Sequence, residues 1–143
     1  MTYNNPFPVA VISVPIKTRG GQIGLLCVKR GVAPEQGIYA LPGGYVDDGD
    51  ESAEAAACRE LFEETQIQIS PSDVFVTHTE RHDDHLLIFT RHRNILDAGD
   101  VLKQFTPTAE VTEVSVQTSL VELAFPSHTA VLKQHISSRG AKI

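Results

Sequence analysis

Glu60, Glu63 and Glu64 belong to a stretch, residues 41–67, that concentrates carboxylates as no other part of the 143-residue chain does. Asp50 and Ser52 can each cap a helix. Acidic residues follow in the first turn, and Ala53, Ala55, Ala56 and Ala57 come without a proline, so a helix is predicted from about Ser52 to Thr65. At roughly 100° per residue the three glutamates share about a third of the circumference, whereas Cys58, Leu61 and Phe62 face elsewhere, towards a core. Ala53, Ala56 and Ala57 fall on the acids' arc, and their short side chains would let a bulky charged ligand come close. Arg59 stands one turn before Glu63 and can pair with it, but one guanidinium cannot neutralise three carboxylates plus Glu51 at the helix start.

Like charges at neighbouring helical positions cost a few tenths of a kcal/mol each on an exposed face, and considerably more in a desolvated cleft. A cation relieves that cost. Hard oxygen ligands suit Mg²⁺, or Mn²⁺ in its place, and both ions bring phosphate oxygens with them. The Glu-x-x-Glu-Glu spacing alone also describes the solvated face of an ordinary amphipathic helix.

The surrounding residues carry a more specific signal. Glu51, seven residues, then Arg59-Glu60-Leu61-Phe62-Glu63-Glu64-Thr65-Gln66-Ile67 resemble the signature of the Nudix hydrolases, and the Leu-Pro-Gly-Gly that commonly leads into it stands at 41–44. Two departures stand out. Six residues rather than five separate Gly44 from Glu51, an extra residue in the Asp47-Asp48-Gly49-Asp50 loop, where length is cheap. Gln66 replaces the glycine that ends the helix, so either Gln66 accepts a left-handed conformation at about 1 kcal/mol or the helix ends differently. Neither change removes a carboxylate.

The remaining elements must position this stretch. Val9–Lys17 reads as a buried strand with an edge or bulge at Pro15, and a tight turn at Arg19-Gly-Gly-Gln returns it as a second strand, Ile23–Arg30. A loop leads to a short strand at 38–41 that delivers the glycine turn. Val74–Arg81 and His85–His92 read as a hairpin whose polar turn could touch substrate, and residues 94–108 as irregular, a flap or subunit contact. Residues 110–117 alternate as a strand, residues 126–136 form a last helix capped near Ser127, and 137–143 read as a frayed tail. The hairpin histidines lack the spacing of a metal site and receive no role.

A chain of this length is expected to form a single domain over residues 1–143 with an adequate core. The order of strands and helices suits a mixed sheet covered by helices on both faces, and the Nudix fold that the resemblance implies is such an α/β/α sandwich. A net charge of −6 argues against a general nucleic-acid or anionic-membrane binder. Cys27 and Cys58 read as reduced, buried thiols. With no signal pattern and no membrane-length apolar run, a cytoplasmic protein is expected.

The resemblance implies a Mg²⁺-dependent hydrolase, water attacking the pyrophosphate of a nucleoside diphosphate linked to another moiety. Glu60, Glu63 and Glu64 would hold metal, Arg59 would orient a carboxylate, and Glu51 would be a ligand or a support. Glu110 sits where relatives place a further base, with Glu113 and Glu80 as rivals. Gly43, Gly44 and Arg30 would lie beside the substrate, although Arg30 also reads as a solvated strand-end cation. A loose likeness of residues 123–128 to ADP-ribose-processing relatives favours ADP-ribose or a related dinucleotide. A nucleoside triphosphate pyrophosphohydrolase and a non-hydrolysing nucleotide sensor are the alternatives, and homodimers are common among such proteins.

Overall fold

The computed structural model describes residues 5–140, with side chains to 138. Nine strands and three helices follow in order: β1 Phe7–Ser13, β2 Pro15–Lys17, β3 Ile23–Arg30, β4 Tyr39–Ala40, β5 Gly43–Tyr45, α1 Ala53–Thr65, β6 Val74–His82, β7 His85–His92, β8 Leu96–Asp97, α2 Ala98–Val101, β9 Val111–Gln117 and α3 Pro126–Gly140. Two mixed sheets replace the single one expected. The first runs β5-β1-β7-β6, with β1 parallel to β7; the second runs β4-β3-β2-β8, with β9 on the other edge of β3.

The stretch expected as one strand over 9–17 is two strands in different sheets. The chain changes sheet at Val14, whose carbonyl accepts from the Leu26 N–H at 3.0 Å. Pro15 then opens β2, where its missing N–H costs no ladder bond inside a strand. β1 is central and buried on both faces. Ala10 and Ile12 join a cluster with Ala56, Ala57, Cys58 and Leu61 of α1, while Val11 joins one with Cys27, Phe89 and Leu132 of α3. The two cysteines thus lie free in separate parts of the core.

Helix α1 has the predicted extent. The Ser52 Oγ caps it, accepting from the Ala55 N–H at 3.0 Å, and Asp50 is released for another task. Gln66 takes the left-handed conformation, φ 62° and ψ 13°, its N–H closing on the Phe62 carbonyl at 2.8 Å. Its side chain offsets the cost, because Oε1 accepts from the Thr106 N–H at 2.5 Å and ties down the chain beyond α2. Two expectations for this helix fail. Ala56 and Ala57 are fully buried against the sheet rather than open to a ligand, and Phe62 is 50% exposed rather than in the core. The helix leans its alanine stripe on the sheet, which turns Phe62 outward.

Other departures are local. The expected glycine turn is instead strand β5, Gly43 and Gly44 pairing antiparallel with Val11 and Ala10. The expected irregular segment contains β8 and α2, with Asp97 capping the latter through the Gly99 N–H. Helix α3 starts at Pro126, its first turn bonded to the Phe125 carbonyl rather than to Ser127, and continues through 137–140 where a frayed tail was expected. The rest of that tail, 141–143, lies outside the described residues.

Leu61 is fully buried and Phe62 is not, so the two neighbours separate core from surface. Leu61→Ala is expected to cost about 2–5 kcal/mol in urea unfolding. Phe62→Ala is expected to cost under about 1 kcal/mol, and equal losses for the two would contradict this helix orientation.

Candidate active site

The site is organised by one guanidinium. Arg59 Nε and Nη2 bind the two oxygens of Asp50 at 2.9 Å each, Nη2 also donates to the Tyr45 carbonyl at 2.9 Å, and Nη1 donates to Glu60 Oε1 at 3.0 Å and Glu63 Oε1 at 3.1 Å. Asp47 adds a contact at 3.3 Å. The loop containing the extra residue is therefore clamped to the middle of α1, and Asp50 is the acid that does it. Glu51, expected as the fourth acid of the site, is exposed at the helix entrance, and Arg59 binds Asp50 in that region instead.

Glu60 and Glu64 flank the alanine stripe and are carried down to strand β5. There the Gly43 N–H donates to Glu64 Oε1 at 3.1 Å. A Cβ at Gly44 would run into the Glu60 carboxylate, and one at Gly43 into the Ala10 carbonyl. These two glycines are required by close approach: the sheet backbone and the carboxylates occupy the space a side chain would need. Glu63 lies on the outer flank, more than half exposed, with both oxygens turned to Arg59.

Burial pushes the Glu64 carboxyl up to about 8; the Gly43 N–H pulls it back, repulsion from Glu60 and Glu110 adds to the rise, and Arg30 offsets part of it. Glu60 is also raised, first by burial, against the lowering effect of Arg59, with Glu63 and Glu110 adding repulsion. Glu110, just before β9, thus shares the field of the motif acids although it is distant from them in sequence. Its carbonyl takes the Gly31 N–H at 2.7 Å. The two rivals are engaged elsewhere: Glu113 with the Tyr39 hydroxyl and Lys29, and Glu80 between His78 and His82 at 3.0 and 3.1 Å.

Glu64 and Glu110 line a cleft of about 810 Å³ together with Gly43, Gly44 and Arg30. The Arg30 Nε donates to the Pro34 carbonyl at 2.7 Å and its guanidinium lies over the Phe125 ring at 5.2 Å. Lys29, the other basic residue of this strand end, pairs with Glu113 instead. At the mouth, the Tyr45 hydroxyl and His85 Nε2 share a hydrogen bond at 2.9 Å. Sequence reasoning missed Asp50, Tyr45, His85 and His128 as parts of this region. Asp50 had a signal, an acid left over once Ser52 supplies the cap; His128 ends the 123–128 segment that resembles ADP-ribose-processing relatives, His85 adjoins the polar turn expected to touch substrate, and Tyr45 had none.

Hard carboxylate oxygens with a shortage of positive charge suit a divalent cation, and Glu60 and Glu64, with Glu110 in electrostatic reach, meet that description. Among the described residues no three acidic, histidine or cysteine side chains already converge as a ready-made ligand set. Glu63 is on Arg59, and a third motif ligand requires it to turn.

In metal-free protein the Glu64 shift has a signed consequence. Its carboxyl ionises at an ordinary 4.5 in the unfolded chain and near 8 when folded, so its contribution to stability is complete below 4.5 and is lost as pH rises through 8. Melting temperatures measured in EDTA should fall across that window, and Glu64→Gln should flatten the fall. An identical slope in the variant would contradict the burial of this acid.

Comparison with known proteins bears on this arrangement. The NUDIX domain profile matches residues 6–135. The uncharacterized Nudix hydrolase NudL of Escherichia coli is 46% identical over 69 residues, 47% of this chain; the match spans about a third, 34%, of that longer protein. The NUDIX domain of Shewanella oneidensis NrtR complexed with ADP ribose aligns over 96% of this chain and 90% of its own, with a TM-score of 0.73 at 20% identity. NrtR complexed with a 27mer DNA aligns at 0.72 and 21% over 94% of this chain and 62% of that one. A bifunctional NMN adenylyltransferase/ADP ribose pyrophosphatase of Francisella tularensis, complexed with AMP and a Mn ion, aligns at 0.66 and 18% over 96% of this chain and 43% of its own. At these identities the solved structures speak for the fold, and the profile match over residues 6–135 places the chain in the Nudix family.

Proposed function

We propose that this chain hydrolyses the pyrophosphate bond of a nucleoside diphosphate linked to another moiety, ADP-ribose or a related dinucleotide, with Mg²⁺. The observation that carries this reading is the juxtaposition, in one cleft, of carboxylates with a guanidinium: the largely buried Glu64 and the exposed Glu110 share its walls with Arg30. That arrangement suits a ligand bearing several phosphate charges and a cation with it. The cleft volume is ample for a dinucleotide, and ADP-ribose is the ligand of the NrtR domain to which the fold is similar.

Glu60, Glu64 and, once released from Arg59, Glu63 would hold the ion. Bound there, Mg²⁺ would supply neutralisation of phosphate charge and activation of the attacking water. The chain's own groups do the rest. The Gly43 N–H fixes one Glu64 oxygen, leaving the other for the ion, and Arg59 opposes the burial-driven rise of the Glu60 carboxyl and holds it against Gly44. Arg30 takes the phosphate remote from the acids, its guanidinium plane set by Phe125 and Pro34. Glu110, exposed and lining the cleft, is the group placed to accept a proton from the attacking water. Glu51, exposed at the helix entrance, would act at most as a support of the ion's ligands.

A sensing role is the second reading, because the fold is as similar to NrtR, which is solved with ADP ribose and with a 27mer DNA, as to any enzyme named above. Incubation with Mg²⁺ and a panel of ADP-ribose, NADH, diadenosine polyphosphates, nucleotide sugars and nucleoside triphosphates discriminates the readings. Turnover of ADP-ribose or a dinucleotide, lowered at least about 100-fold in Glu64→Gln with the fold intact, is expected. Tight nucleotide binding with no turnover would favour the sensor, and preference for triphosphates would replace the substrate class. In single-turnover assays Glu110→Gln should slow the chemical step by about 10²–10⁴, and Glu113→Gln should not; equal rates in the two variants would remove Glu110 from the mechanism.

A further inference from the structure

His128 is buried, 7% exposed, at the start of α3, and its ring lines the same cleft as Arg30 and Glu110. A backbone N–H can only donate, and the Leu41 N–H points at His128 Nδ1 at 3.1 Å. Nδ1 must therefore accept, which places the ring proton on Nε2. No protein group among the described residues takes that Nε2–H. The ring is held edge-on against Phe89 and Phe125, with centroids at 6.0 and 5.0 Å, and Phe125 also carries the Arg30 guanidinium. One aromatic side chain thus sets the positions of a fixed cation and a fixed neutral donor in one cleft.

We infer that His128 is a specificity-determining residue, donating through Nε2–H to an oxygen of the phosphate that Arg30 neutralises. This rests on the reading of the cleft as a nucleoside diphosphate site. Burial, and then Arg30, lower the ring pKa to about 4, with Glu80 opposing, so the ring remains a neutral donor in neutral solution. A neutral N–H adds direction to recognition without adding charge that would compete for the carboxylates. The Leu41 bond links this donor to the Leu-Pro-Gly-Gly segment, so the phosphate wall and the carboxylate wall share one backbone anchor.

Two substitutions separate this role from simple packing. His128→Asn keeps an acceptor near the Nδ1 position for the Leu41 N–H and removes the cleft donor. His128→Gln keeps a donor near Nε2 and loses that acceptor. For ADP-ribose in Mg²⁺, His128→Asn is expected to raise KM about tenfold, or ~1.4 kcal/mol, with kcat within about twofold and a melting temperature near that of the parent. His128→Gln is expected to melt lower and to hold KM more nearly. A purely structural histidine gives the opposite pattern, and that result overturns the inference. Independently of turnover, ¹⁵N spectra should show His128 as the Nε2–H tautomer, with that nitrogen shifting on addition of ADP-ribose and Mg²⁺. An Nδ1–H tautomer, or a silent Nε2, also overturns it. If Nε2 responds while the substrate panel shows no hydrolysis, the hydrolase reading fails and the phosphate contact stands.

Discussion

A single guanidinium, that of Arg59, is the interaction on which the acidic region depends. Its donors reach Asp50 and the Tyr45 carbonyl on the loop and Glu60 and Glu63 on α1. Without it, the Asp47–Asp50 loop and the helix would bring four carboxylates together with nothing between them, at the repulsive cost that close like charges carry in an enclosed site. With it, the acids are sorted by depth. Asp50 is held below the ordinary carboxylate range, first by its bonds to Arg59. Glu63 stays at the surface. Glu60, paired with Arg59, and Glu64, bonded to the Gly43 N–H, are both raised first by burial.

The second constraint is steric. Acids can sit low against the sheet only where the sheet offers no side chains, and Gly43 and Gly44 in β5 provide that opening beside Ala10 of β1. The alanine stripe of α1 serves the same approach from the other side: Ala56 and Ala57 bring the helix axis close to the strands, and Glu60 and Glu64 come down with it. The small residues therefore act on the site through backbone distance rather than by making room for a ligand. On the far face of the sheet, Val11, Phe89 and Leu132 fix α3, and with it His128 and the Phe125 ring, along the same cleft. No described helix is long and apolar enough to cross a membrane.

Much of this is legible in residues 41–67, because helical periodicity, a capping serine and charge spacing are local properties. The helix from Ser52 and the arc of Glu60, Glu63 and Glu64 follow from them, as does the β3 strand from its apolar run. The errors arise where neighbours not adjacent in sequence decide. Gly43-Gly44 reads as a turn by composition, yet β1 offers it hydrogen-bond partners and makes it a strand. Phe62 reads as core by type, but the rotation of α1 is set by the alanines against the sheet. Pro15 correctly marks an irregularity, though only the second sheet explains why the chain breaks there.

The sequence by itself determined that a helix would carry uncompensated carboxylates on one arc, next to glycines, with one arginine among them; those facts depend on spacing within a few turns. Tertiary structure alone decided which carboxylates are deep and which are exposed. It also decided that Asp50 rather than Glu51 answers Arg59, and that Glu110, Arg30 and His128 meet in one cleft. Burial and long-range electrostatics depend on what packs above a residue: Asp50 lies within a few turns of Arg59, but Glu64 and Glu110, like Leu41 and His128, meet from distant parts of the chain.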